Sequence, residues 1–146
     1  MATKSSVDQL NSFLRGEMSA VETYQQAIDK LEAFSTSRDQ LLVNLKSHQD
    51  RVMMLRDAII QLGGTPAEGS GAWGAFAKIV EGGAKAFGEK AAVAALEEGE
   101  DHGLADYKRG LEGDDLDAQA RSLVTTKLLP EQELTHRRLS NVKHRM

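Results

Sequence analysis

Residues 7–34 read VDQLNSFLRGEMSAVETYQQAIDKLEAF, and this stretch decides the fold. Val7, Leu10, Leu14, Glu17, Val21, Tyr24, Ile28 and Leu31 recur in steps of three and four, the spacing of one helix face on a bundle seam. Ser5, Ser6 and Asp8 offer capping oxygens at its start, and Ser35, Thr36 and Ser37 break it and can cap the next helix. The same rhythm returns in 39–62 through Leu41, Leu45, His48, Val52, Leu55, Ile59 and Leu62, ended by Gly63-Gly64 and Thr65-Pro66. A third stripe, Val93, Glu97, Glu100, Leu104, Tyr107 and Leu111, predicts a helix over 89–111. A fourth helix is expected over 116–143, less regular and kinked by Pro130. Residues 63–88 are glycine-rich but hold Trp73, Phe76, Ile79, Val80 and Phe87, too apolar for a free linker. They read as a crossover with a short helix near 72–80. The whole chain, 1–146, is expected to be one all-α domain: two helical hairpins joined by a long crossover into a four-helix bundle.

Composition narrows the function. The chain has 146 residues, enough for one domain to bury a sizeable core. A formal net charge of −4 argues against a broad basic face for nucleic acid. No run of 18 or more apolar residues exists, so no membrane span is expected. The opening MATKSSVDQL has no apolar signal core, which points to the cytoplasm. With no cysteine, disulfides, thiolate nucleophiles, zinc ribbons and iron–sulfur clusters are ruled out, so any metal must rest on carboxylates and imidazoles. There is no Ser elbow, and the glycine-rich crossover lacks the Gly-Lys-Ser/Thr of a phosphate loop.

Polar residues then stand out on seams that ought to be apolar. Glu17, His48, Glu97 and Glu100 occupy inward positions, and Glu133 and His136, three apart, share a face of the fourth helix. A buried lone carboxylate is costly, whereas several together are tolerable around shared cations. Bridging carboxylates with imidazoles suit iron or manganese, and a helix bundle can present such a set. The halves also repeat: Gly16-Glu17 precedes Tyr24 by the same spacing at which Gly99-Glu100 precedes Tyr107. The two tyrosines are candidate hydrogen-bond donors to the glutamates.

GEMSAVETY resembles the first-helix motif of the ferritin-like and rubrerythrin families, and EEGEDHGLADY resembles their third helix. The pair Glu97 and Glu100, and Glu133-x-x-His136 in EQELTH, are similar to their third- and fourth-helix ligands. LRDAIIQLGGTP and GAWGAFAKIVEGG extend the likeness to an uncharacterised bacterial family of ferritin-like four-helix-bundle domains. The resemblance implies a di-metal site of Glu17, His48, Glu97, Glu100, Glu133 and His136, binding iron, or manganese or zinc in its place. It implies oxygen or peroxide chemistry, or iron handling, with reduction by an external partner. The second helix departs from the pattern. It offers Leu45-x-x-His48, and if His48 takes the Glu place, Arg51 takes the His place, where a guanidinium repels metal. A hairpin folded about 36–37 also sets His48 level with Gln25 rather than Glu17, while one folded about 115 sets Glu97 level with Glu133. The competing reading is a metal-free bundle. Its inward acids pair with imidazoles and Arg51, and it works through its surface, as a homodimer on its Ala- and Gly-rich third helix and crossover.

Overall fold

A computed structural model describes residues 2–31, 35–71 and 89–146. They form an all-α four-helix bundle. The first three rods are α1 (Ala2–Lys30), α2 (Thr36–Gln61) and α3 (Glu89–Glu112). The fourth is continuous but in three parts: α4 (Ala118–Leu123), a π-helical turn (Val124–Leu128) and α5 (Leu129–Arg145). Helices α1 and α2 pack as one hairpin and α3 with the fourth rod as the other; α1 also meets α3, and α2 meets α5. The short helix expected near 72–80 lies outside the described residues. No described helix is long and apolar enough to cross a membrane.

Local chemistry sets the ends. The Ser35 side chain accepts from the Arg38 N–H at 3.0 Å, the N-cap of α2. Gly63, at φ 80°, closes α2 in the left-handed region open to glycine, and Gly64 N–H returns to the Ile59 carbonyl at 3.0 Å. Gly64 has no side chain to give: a Cβ there would sit 2.6 Å from Val7. The Asp117 side chain caps α4 through the Ala120 N–H at 2.8 Å. Ser6, expected as a cap of α1, lies inside that helix instead. It is buried, donates to the Asp115 carbonyl at 3.0 Å and accepts from the Asp117 N–H at 2.6 Å, tying α1 to the turn of the other hairpin.

Pro130 sits in the first turn of α5, and the disturbance expected there appears as the π turn just before it. Leu129 N–H reaches back five residues to the Val124 carbonyl. The wider turn inserts one extra residue and rotates everything after it by about 100° relative to a plain α-helix.

The interior is layered. One apolar cluster gathers Ile28, Leu41, Val93, Leu96, Leu139 and Val142 at the end where α1 finishes. A second gathers Leu10, Phe13, Leu55, Ile59, Val124 and Leu128 at the other end. Phe13 stacks at a tilt on Tyr107, ring centroids 4.7 Å apart, and fills the notch left by Gly110, where a Cβ would meet its ring at 2.5 Å. Between the clusters lies a polar stratum: Glu17, Asn44, His48, Arg51, Glu100, Gln132 and Thr135, all nearly or wholly buried.

Candidate functional site

The stratum is built one helix at a time. From α1, the seam through Leu10, Leu14, Glu17 and Tyr24 projects one carboxylate inward. From α3, the seam through Leu96, Glu100 and Tyr107 projects another. Between them α2 inserts His48 and, one turn on, Arg51. His48 bridges the two acids: its Nδ1 lies 3.0 Å from Glu17 Oε1 and its Nε2 2.8 Å from Glu100 Oε2. A carboxylate oxygen only accepts, so a ring that meets one on each side carries a proton on each nitrogen and is an imidazolium. Burial and the neighbouring Arg51 charge push the ring toward neutrality, but Glu17 and Glu100 together outweigh them and His48 titrates above its ordinary range.

Arg51 supplies the second cation. Its Nε lies 3.1 Å from Glu17 Oε2, although the N–H is directed at the Ser47 carbonyl, 3.4 Å away. Its Nη1 donates to Gln132 Oε1 and its Nη2 to Thr135 Oγ1 at 3.2 Å. Gln132 in turn donates to the Glu100 side chain and carbonyl, both at 2.9 Å, and Thr135 to Glu100 Oε1 at 2.8 Å. Gly103 makes room for this: a Cβ there would stand 2.7 Å from Gln132 Nε2. Tyr24 donates to Glu100 Oε2 at 2.5 Å and accepts from Asn44, which Arg138 holds at 2.8 Å through its amide oxygen. Burial raises Glu100, but His48, Tyr24 and Arg51 outweigh it and hold the carboxyl below its ordinary range. Burial and the Glu100 charge push Tyr24 well up, so it stays a donor. Two buried carboxylates thus face an imidazolium and a guanidinium, and the formal charges cancel.

Of the six residues proposed as ligands, Glu17, His48 and Glu100 come together and the other three do not. Glu97 is part-buried and pairs with Lys143 at 2.8 Å. Glu133 is exposed, and His136 pairs with Asp101 at 2.5 Å on the surface. The inward seam of the fourth rod runs Leu128, Gln132, Thr135 and Leu139, and Glu133 and His136 each fall one place past it; the extra residue of the π turn sets that seam, which on a plain α-helix would fall on Glu131 and Leu134. The expected offset of His48 from Glu17 is also corrected. With α1 ending at Lys30 and α2 starting at Thr36, the hairpin reflects about residue 33, which brings 17 and 48 level.

Asn44, Gln132 and Thr135 were missed as inward residues. Counting down from Val142 by three and four gives Leu139, Thr135, Gln132, Leu128 and then Val124, all buried. Likewise Leu41, Asn44, His48, Arg51 and Leu55 form an unbroken rhythm on α2, with Leu45 and Val52 only half-buried. Both patterns were present in the sequence, hidden because their members are polar.

The donor set does not suit a di-metal centre. Both His48 nitrogens are taken up by carboxylates, a guanidinium stands beside Glu17, and the α5 positions carry an amide and a hydroxyl. Among the described residues, no three His, Asp or Glu side chains are arranged to hold a metal ion.

Sequence comparison places the chain in a family. Residues 5–113 match a family described as a domain of unknown function (DUF2383). The match runs from α1 to the end of α3 and takes in Glu17, His48, Arg51 and Glu100; the chain belongs to this family. No curated protein and no solved structure matches the chain.

Proposed function

We propose that this protein is a metal-free helical bundle of interaction or structural type, in which the chain's own cations stand where a ferritin-like bundle would hold metals. The observation that carries this reading is His48 bridging Glu17 and Glu100, with Arg51 on the far side of Glu17. The sequence repeat sharpens it. Advancing by 83 residues carries Glu17 to Glu100 and Tyr24 to Tyr107; one further residue, the π insertion, carries His48 to Gln132 and Arg51 to Thr135. In the resemblance these helices would carry Glu-x-x-His twice. Here they carry His48-x-x-Arg51 and Gln132-x-x-Thr135, one a pair of cations and the other neutral. The polar stratum then fixes helix register and partner order, a role best attested for buried polar residues on bundle seams. The outward face of α2 supports work through the surface: Leu42, Met53 and Ile60 share one side of the helix and are each at least 39% exposed.

The test is metal content. Untagged protein incubated with ferrous and then manganous ion, and desalted, should retain well under one metal per chain by mass spectrometry, with its melting temperature unchanged. Two metals per chain, lost in Glu100→Ala, would instead restore the iron-handling reading.

A further inference from the structure

The fourth rod does not lie evenly along α2. Helix α5 packs against α2, whereas α4, before the π turn, meets it sparsely at most. Between α2 and α4 lies a cleft of about 270 Å³. It opens off the second apolar cluster: the wholly buried Leu10 lies at its base, and the half-buried Met54, Leu62 and Leu123 form walls. A cavity of roughly 150 Å³ with such a lining takes up benzene, so this one has space for about ten non-hydrogen atoms. A π turn inside an α-helix frequently accompanies a functional site, and Leu123 both lines the cleft and leads into the turn.

Among the described residues, two carboxylates and no cation line the cleft. Asp57 is exposed and makes no hydrogen bond or ion pair with another described residue. Asp117 accepts the Ala120 N–H at Oδ1, the cap of α4, which leaves Oδ2 for a ligand. Arg121, the one basic residue of α4, is drawn off to the Leu111 and Gly113 carbonyls. From this lining we infer that the cleft binds a small organic monocation, a protonated amine that carries an aryl or short alkyl group. The apolar walls set the body of the ligand: carbon that leaves water for Leu10, Met54 and Leu123 supplies most of the affinity, and Met54 adapts to its shape. The charges set the head. An ammonium meets Asp57 and the open oxygen of Asp117, whereas a carboxylate or phosphate would face two like charges. A bare cation would gain only exposed ion pairs, which are weak, and would leave the walls wet. None of this rests on the ion-paired stratum above.

Phenethylamine is the probe, titrated into the full chain at neutral pH and followed by amide NMR. Phenethyl alcohol is the uncharged match and hydrocinnamate the anionic one. The expected result is a saturable shift with a millimolar dissociation constant, centred on amides around Leu10, Met54, Ala58 and Leu123. The alcohol should bind about threefold more weakly, the scale of an exposed ion pair, and hydrocinnamate should not saturate. Asp57→Asn should weaken the amine about threefold and leave the alcohol unchanged, a split that a folding defect would not produce. Ala58→Phe fills the cleft and should abolish both. Equal affinity for amine and alcohol, hydrocinnamate bound as well as the amine, or affinities unchanged in Ala58→Phe would overturn the inference, as would a response to phenethylamine that stays linear and spreads over the surface. Metal loading and amine binding are read separately, so either can fail without the other.

Discussion

His48 is the residue on which the interior turns, because among the described residues it bridges both buried carboxylates. Removing it leaves Glu17 with one cation and Glu100 with none in direct contact. His48→Ala should therefore lower unfolding free energy by about 3–5 kcal/mol, the range for breaking a buried pair from one side, measured by urea denaturation. A second expectation concerns protonation. Both His48 ring nitrogens should still carry protons above the free histidine value of 6.5, which nitrogen NMR of the ring reads directly. A neutral tautomer at pH 7 would be incompatible with this geometry. The direction of both shifts sets the pH dependence. His48 titrates above its unfolded value, so its contribution is complete below about 6.5 and is lost as pH rises through the folded value. Glu100 titrates below its unfolded value of 4.5, so its contribution is complete above that and is lost as pH falls through the folded value. Melting temperature against pH should form a plateau between about 4.5 and 6.5 and fall on both sides.

At the scale of the element, the π turn decides which face of α5 is inside. Deleting Thr125, an exposed residue within it, should remove the extra residue, return the rod to a plain α-helix and leave Gln132, Thr135, Leu139 and Val142 facing inward. Inserting one alanine between Leu129 and Pro130 should instead bring Glu131, Leu134, Arg138 and Asn141 to those places and carry Leu139 and Val142 out of the core. The insertion should lose at least the roughly 2–5 kcal/mol that truncating one large core side chain costs, seen as a lower denaturation midpoint, while the deletion should stay close to the parent. An insertion with unchanged stability would mean that the face of α5 is not fixed by the turn. Rod existence and order were legible in advance because Leu10, Leu14, Ile28, Leu55 and Ile59 keep a clean helical rhythm in the residues themselves. The face of α5 was not. A π insertion leaves no compositional mark beyond the nearby proline, and it moves every later residue by one place, so that Gln132 rather than Glu131 faces inward.

For the whole molecule, acids from three rods were expected to converge; Glu17 and Glu100, from two rods, do, and Glu133 of the fourth rod is exposed. The cations that meet Glu17 and Glu100 are His48 and Arg51, the partners that the metal-free reading named. The sequence shows which groups are charged, but whether an inward carboxylate meets a metal or a side chain depends on distances between helices that pattern alone does not give. Arg51 illustrates this: weighed as an obstacle to metal, it is wholly buried and bonded to two further residues on the fourth rod. The doubly protonated ring also has a calorimetric consequence. At about pH 7.5 the unfolded chain holds His48 largely neutral, whereas the native chain holds more of it as the cation, so assembly takes up hydrogen ion from the medium. The heat of melting will then depend on the buffer that accepts the ion on unfolding: Tris and phosphate should give different enthalpies, and a His48→Gln chain should erase that difference.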